Sequence, residues 1–211
     1  MRMRRKSNLA PRMEKCAHLL VTEPDKLKGR WLEAFQACDE LHVELGCGKG
    51  RFTSETAKAE PGVFVAALEK SASAMLAAVE RADGEGLKNV RFMNAFADDL
   101  TDFFAPGEVS RIYINFCDPW PANRHAKRRL TSGRFLELYK RVLRPGGEIH
   151  FKTDNLPLFE FSLNEFLRAG FELSEATRDL HADGPVGVMT DYELKFHSQG
   201  ISIKRMVAIN P

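Results

Sequence analysis

Leu41-His42-Val43-Glu44-Leu45-Gly46-Cys47-Gly48-Lys49-Gly50 settles the architecture of this chain. Its first five residues form a short β-prone run. Three closely spaced glycines then make a turn, and residues 50–59 behind them suit a helix. A strand that turns through glycines into a helix is the opening unit of a crossover on a parallel sheet. The alternation continues downstream. Residues 63–69 read as a second strand, and Ser71 can cap a helix over 72–83. Residues 89–93 follow as a third strand, 97–104 as a short helix and 111–116 as a fourth strand. A helix over 132–143 is stopped by Pro145-Gly146-Gly147. Residues 148–152 make a fifth strand, and a helix over 157–169 ends at Gly170. Two more β-prone runs, 171–179 and 201–209, have no evident helix between them, which predicts an antiparallel last strand. The expected fold is α/β: a doubly wound, mostly parallel sheet of about seven strands with helices on both faces.

The 211 residues suit one domain, and a composition of 44% hydrophobic and 28% charged residues is that of a globular chain with a sizeable core. No apolar run reaches the about 18 residues of a membrane span. The basic start, Met1-Arg2-Met3-Arg4-Arg5-Lys6, lacks the apolar stretch of a signal peptide, so a cytoplasmic location is expected. Residues 1–30 show no clear core pattern and are expected to form a basic, partly mobile arm ahead of a domain over 31–211. The four cysteines at 16, 38, 47 and 117 have no metal-ligand spacing, so they are expected to pack and no metal is expected. Net charge is only +2, but Lys and Arg crowd residues 2–30 and 124–129. A nucleic acid feels such local patches, although a basic run can equally be a solvated face.

Ligands of open α/β sheets bind at the carboxyl ends of the strands. Gly46, Gly48 and Gly50 would let the backbone approach a ligand there, and Glu69, ending the second strand, could accept hydrogen bonds from two ribose hydroxyls. Gly50 stands one place too early for the dinucleotide fingerprint. Glu44, just before the turn, would repel a pyrophosphate but suits the ammonium of the methionine part of S-adenosylmethionine. The spacing therefore favours S-adenosylmethionine over NAD. The bland alternative is that both acids only cap strand ends.

Asn115-Phe116-Cys117-Asp118-Pro119-Trp120-Pro121 follows the fourth strand. Two prolines stiffen the turn and present Asp118 beside the expected cofactor. Trp120 could stack on a base or pack beneath its own loop. Arg124-His125-Ala126-Lys127-Arg128-Arg129 comes next and could meet phosphates.

These segments, with His150-Phe151-Lys152-Thr153-Asp154-Asn155, Asp179-Leu180-His181 and Thr190-Asp191-Tyr192-Glu193, closely resemble the bacterial tRNA (guanine-N7-)-methyltransferase family over nearly the whole chain. The resemblance implies a Rossmann-like class I methyltransferase fold and methyl transfer from S-adenosylmethionine to N7 of a guanine in the tRNA variable loop. It implies that Glu44 and Glu69 bind the cofactor and that Asp118 lies at the active site. It further implies that 124–129 touches RNA and that Asp154, Thr190, Asp191, Tyr192 and Glu193 contact the target nucleotide.

Two positions depart from the family pattern. Phe96-Ala97 stands where an Asp-Ala pair is common, so Phe96 is expected against the adenine ring, with Asn94 or Asp98 as a polar contact. Ala122 replaces a substrate-contacting Lys, a role left to Asn123 or Arg124. Methylation of an exocyclic base amine, a nicotinamide-dependent oxidoreductase and a non-catalytic RNA-binding protein are the competing readings. The partner expected is tRNA, with the protein a monomer or homodimer away from membranes.

Overall fold

The computed structural model describes residues 8–35 and 38–211. Period-two alternation builds the sheet. In β1 (Glu40–Leu45), Leu41, Val43 and Leu45 point to one face, and Glu40, His42 and Glu44 to the other. β2 (Val63–Leu68) is buried on both faces, and β3 (Val90–Met93) flanks it. β4 (Val109–Asn115) and β5 (Leu143–Thr153) repeat the alternation of β1, with Ile112, Ile114, Ile149 and Phe151 in the main core. β6 (Glu172–Thr177) and β7 (Lys204–Ile209) complete the sheet, in the order β3-β2-β1-β4-β5-β7-β6. β7 runs antiparallel to both neighbours, and the other pairs are parallel. Strand order reverses between β1 and β4, so a crevice opens at their carboxyl ends.

The helices are α1 (Leu9–Lys15), α2 (Trp31–Ala34), α3 (Arg51–Ala59), α4 (Ala72–Gly84), α5 (Leu100–Phe103), α6 (Gly133–Val142), α7 (Leu156–Arg168) and α8 (Asp191–Ser198). α2 and α5–α7 cover the apolar face, where fully buried Trp31 stacks on Phe104 at 5.2 Å. The Ala-rich face of α4 packs on the opposite side of β2 and β3, with Ala57 of α3 in the same cluster.

Two expectations need correction. A helix does separate the last two strands. The side chain of Thr190 caps α8 by accepting the Glu193 N–H, and the Glu193 carboxylate accepts the Thr190 N–H. Thr190-Asp191-Tyr192-Glu193 is thus a capping box, a signal present in the sequence. Residues 8–30 are also no loose arm. Leu19 and Cys16 are buried, the Val21 N–H donates to the Phe92 carbonyl at 3.0 Å, and Arg12 pairs with Glu80 at 2.6 Å. Short local elements, rather than one long amphipathic helix, hide that docking from periodicity. The basic start at 1–7 lies outside the described residues.

Gly50 sits where α3 meets α4. A β-carbon there would stand 2.5 Å from the Ala78 β-carbon, at a φ of +75°. Gly50→Ala is therefore expected to destabilise the fold by about 2–4 kcal/mol, from overpacking and left-handed strain together. Urea unfolding with unchanged slope and a lowered midpoint would show it. An unchanged midpoint would mean that the helix contact yields freely.

Candidate functional site

Three left-handed glycines shape the turn after β1: Gly46 (φ 79°), Gly48 (φ 58°) and Gly50 (φ 75°). Gly50 serves helix packing. Gly46 and Gly48 are different, because a β-carbon on either would meet nothing within 4 Å and would project into open space. The turn is tied to the tip of β2 by Glu69, whose two oxygens accept the Gly48 N–H (3.0 Å) and the Ser71 N–H (2.8 Å). The carboxylate is thereby oriented while lone pairs remain toward the crevice.

The crevice has two lobes, of about 340 and about 550 Å³, which share Gly46, Glu69, Asn115 and Phe116. The smaller lobe is walled by Phe96, Ala97, Leu130 and Phe135 and reaches Asp118 and Arg128. Phe96 is 60% exposed, a large apolar surface at the cleft. Asp98 lines the lobe while paired with Arg134, whereas the Asn94 amide is spent on the Glu69 carbonyl at 2.7 Å. The larger lobe holds Glu44, the glycine turn, Arg51 and the first turn of α8.

Glu44 is buried at the floor of the larger lobe. It accepts from the Thr53 hydroxyl and, at 3.4 Å, from the Asn115 amide. Burial pushes its carboxyl up to about 7, against the opposing pull of those donors. Asn115 ends β4 and is nine-tenths buried, yet its Oδ1 has no partner. Such an orphan acceptor at the meeting point of both lobes marks a place for a ligand donor. The sequence reading gave Asn115 no role. Its only signal was a polar residue closing an otherwise apolar strand next to the Asp-Pro turn.

The loop after β4 is strained. Phe116 (φ 51°) and Trp120 (φ 42°) both hold left-handed backbones that bulky residues avoid. Between them Asp118 projects into solvent, and Lys70 pairs with it at 3.1 Å. Arg128 lies over the Trp120 ring at 5.0 Å, at the mouth of the smaller lobe. Trp120 is partly buried, lines that lobe and meets the His125 ring edge-on. Arg124, Lys127 and Arg128 are exposed on a 3-10 helix, Asn123–Arg128, with Ala122 exposed just ahead of it and His125 and Ala126 half-buried.

Not every expected contact faces outward. Arg129 is buried and donates to the Pro119 and Trp120 carbonyls at 3.0 Å each, so its guanidinium braces the strained loop and is not free for phosphate. Glu193 is fully buried on Lys152 and His181 and lines neither lobe. Thr190 is buried as the cap of α8 yet still lines the larger lobe, together with Asp191, near Arg51 at 3.9 Å, and Tyr192, 61% exposed. Asp154 is half-buried at the tip of β5 and lines neither lobe. Among the described residues no helix is long and apolar enough to cross a membrane.

Comparison with known proteins adds three findings. A family described as "Putative methyltransferase" matches residues 39–206. Two curated relatives described as tRNA (guanine-N(7)-)-methyltransferase align over 212 residues, 100% of this chain and 98% of each relative. They are 45% identical in Geobacillus kaustophilus (strain HTA426) and 44% in Geobacillus thermodenitrificans (strain NG80-2). Among solved structures, the 16S rRNA methyltransferase KamB superposes with a TM-score of 0.66 at 19% identity, covering 87% of this chain and 94% of that one. A mutant 16S rRNA (adenine(1408)-N(1))-methyltransferase from Catenulisporales acidiphilia, solved with cosubstrate SAM, gives a TM-score of 0.62 at 15% identity, covering 90% and 92%. At such identities the structural likeness carries the fold, that of class I methyltransferases.

Glu44 gives the site a pH signature. Its folded carboxyl titrates near 7, above the ordinary 4.5, so its neutral form stabilises the fold fully below about 4.5 and that contribution is lost as pH rises through about 7. Glu44→Gln is expected to match the wild type at pH 4.5 and to exceed it by about 2–3 kcal/mol at pH 8.5. Melting temperatures across that range test this; parallel curves would show that Glu44 is already ionised at its floor position.

Proposed function

The chain belongs to the tRNA (guanine-N7-)-methyltransferase family, and we propose that its cleft binds S-adenosylmethionine and a guanine of the tRNA variable loop side by side. The reaction is methyl transfer to guanine N7. The observation that carries the reading is the adjacency, around one lobe, of Glu69, Phe96, Asp118 and the exposed cation Arg128.

The residues present fit the cofactor. The open space over Gly46 and Gly48 allows backbone approach, and Glu69 is held with lone pairs free for two ribose hydroxyls. Phe96 and Phe135 offer apolar walls to adenine, with the Ala97 backbone at its edge. Glu44 and the orphan Asn115 Oδ1 offer acceptors to an ammonium group. A bound ammonium would draw Glu44 back to its carboxylate form. S-adenosylmethionine supplies an electrophilic methyl on a sulfonium sulfur.

Guanine N7 carries an in-plane lone pair, so this protein needs no base to deprotonate the nucleophile. Its task is alignment and charge. Holding the base in line with the methyl supplies near-attack geometry. The purine gains positive charge as the bond forms, so an acid at its edge stabilises the transition state more than the ground state. Asp118 occupies that edge, and Asp154 stands on the neighbouring strand tip. Arg124, Lys127 and Arg128 meet the phosphates, and Asn123 or Arg124, exposed next to Ala122, takes over the role of the missing Lys. Arg129 acts behind them by bracing the loop.

The assay is labelled methyl transfer to an unmodified tRNA transcript, with 7-methylguanosine identified in the digest. A transcript whose variable-loop guanosine is changed to adenosine is expected to take up no label. Asp118→Asn should lower turnover by about 100-fold or more while S-adenosylhomocysteine still binds; near-normal turnover would remove Asp118 from the chemistry. Label at an exocyclic amine would support the competing reading instead.

Arg128→Ala should weaken tRNA binding and reduce the slope of log affinity against log salt by roughly 1, the contribution of one phosphate. An unchanged slope would put Arg128 off the RNA path.

A further inference from the structure

The segment between β6 and β7 is organised around one buried carboxylate. Glu193 Oε1 accepts from Lys152 Nζ (3.0 Å) and His181 Nε2 (2.9 Å), and Oε2 accepts from Lys152 Nζ (3.1 Å) and the Thr190 N–H (3.2 Å). The histidine tautomer follows from its other side. His181 Nδ1 accepts the Val186 N–H at 3.1 Å, so the ring proton sits on Nε2 and a neutral imidazole suffices as donor. Lys152 gives a further N–H to the Val188 carbonyl at 2.9 Å. Residues 181, 186, 188 and 190 of an irregular loop are thereby gathered onto β5. A carboxylate has about four lone-pair sites. Those of Glu193 are all engaged, which leaves none for the N1–H and 2-amino group of a guanine.

We infer that Glu193 is a positioning residue of the methyl transfer: with Lys152 and His181 it clasps the loop and the first turn of α8 to the sheet, and so holds Tyr192 as the wall on which the target base rests. The inference builds on the tRNA-guanine reading above and deepens it. Tyr192 stacks on Phe116 at 6.2 Å and an angle of 27°, lines the larger lobe and remains exposed. Phe116 in turn lies between the lobes in a left-handed backbone. Aromatic stacking holds any base by its π-face, so this wall contributes affinity without choosing guanine. The choice then falls to acids with free lone pairs, Asp118 first.

The test compares single-turnover methylation of a tRNA transcript with that of one carrying inosine, which lacks the 2-amino group, at the target position. Four proteins are used: wild type, Glu193→Gln, Lys152→Met/Glu193→Gln and His181→Gln. Glu193→Gln leaves the Lys152 ammonium buried without its countercharge, and about a tenfold or greater loss of rate is expected. The neutral double variant is expected to recover about tenfold over that single variant. His181→Gln is expected to raise the KM for tRNA about fivefold, with S-adenosylhomocysteine affinity unchanged; a purely structural role would lower the melting temperature without moving KM below the melting range.

All the variants should keep the wild-type ratio of guanosine to inosine rates. A ratio that falls toward one in either Glu193 variant would show that Glu193 reads the 2-amino group and would overturn the inference. So would a double variant no better than the single one, or a wild-type KM in His181→Gln. Should Glu193→Gln not fold, the double variant and His181→Gln decide on their own. A wild type that makes no 7-methylguanosine would sink the underlying reading, an outcome distinct from an active enzyme with an altered ratio.

Discussion

The turn after β1 must pass through three left-handed backbones while α3 closes against α4, and the rim of the cleft over β1 and β2 is downstream of that constraint. Gly50 lets the two helices touch at Ala78. With the helix so placed, Thr53 on its first turn reaches Glu44, and Gly48 presents its N–H to Glu69. The tips of β1 and β2 become one rigid rim. The reversal of strand order between β1 and β4 keeps the other side of that rim open.

The sheet beneath the rim is unusual for its class. Strands of a doubly wound sheet are normally apolar on both faces. Here one face of β1, β4 and β5 carries His42, Glu44, Arg111, Tyr113, Asn115, Glu148, His150 and Lys152. The groups are tolerated because they satisfy one another. Tyr113 meets His42 at 3.2 Å, Arg111 pairs with Glu148 at 2.9 Å, and Lys152 pairs with Glu193. Burial lowers both histidines to about 4, so they stay neutral and add no charge to the face. Asn115 Oδ1 is the exception, and it sits at the meeting of the lobes.

Charge is sorted by depth. Acids that suit a cationic cofactor group lie on the buried floor, and cations that suit phosphate lie at the mouth. The sorting reaches neighbouring residues. Arg128 and Arg129 are adjacent and chemically identical, yet one covers the Trp120 ring in solvent and the other is drawn inward by two carbonyls of the strained loop. The same division separates Tyr192, which faces the cleft, from Glu193, which turns into the protein one residue later on α8.

The strand-and-helix alternation, the glycine turn with its two acids and the Asp118 loop were legible in the chain, because each rests on local periodicity or on residues close in sequence. The family resemblance carried the chemistry. Less was legible wherever a role depends on partners distant along the chain. The docking of residues 8–30 rests on scattered contacts to α4, β3 and α5 made by short local elements, and so left no periodic trace. α8 could have been found from its capping box, yet its eight residues fall between two β-prone runs that dominate the pattern. The sequence by itself determined which residue types reach the carboxyl edge of the sheet, since strand period and turn chemistry are local properties. Only the tertiary structure decided which of those side chains face a ligand and which are consumed as internal partners, because burial and hydrogen-bond saturation arise from residues 10 and 41 positions apart, as at Arg129 with Pro119 and at Glu193 with Lys152.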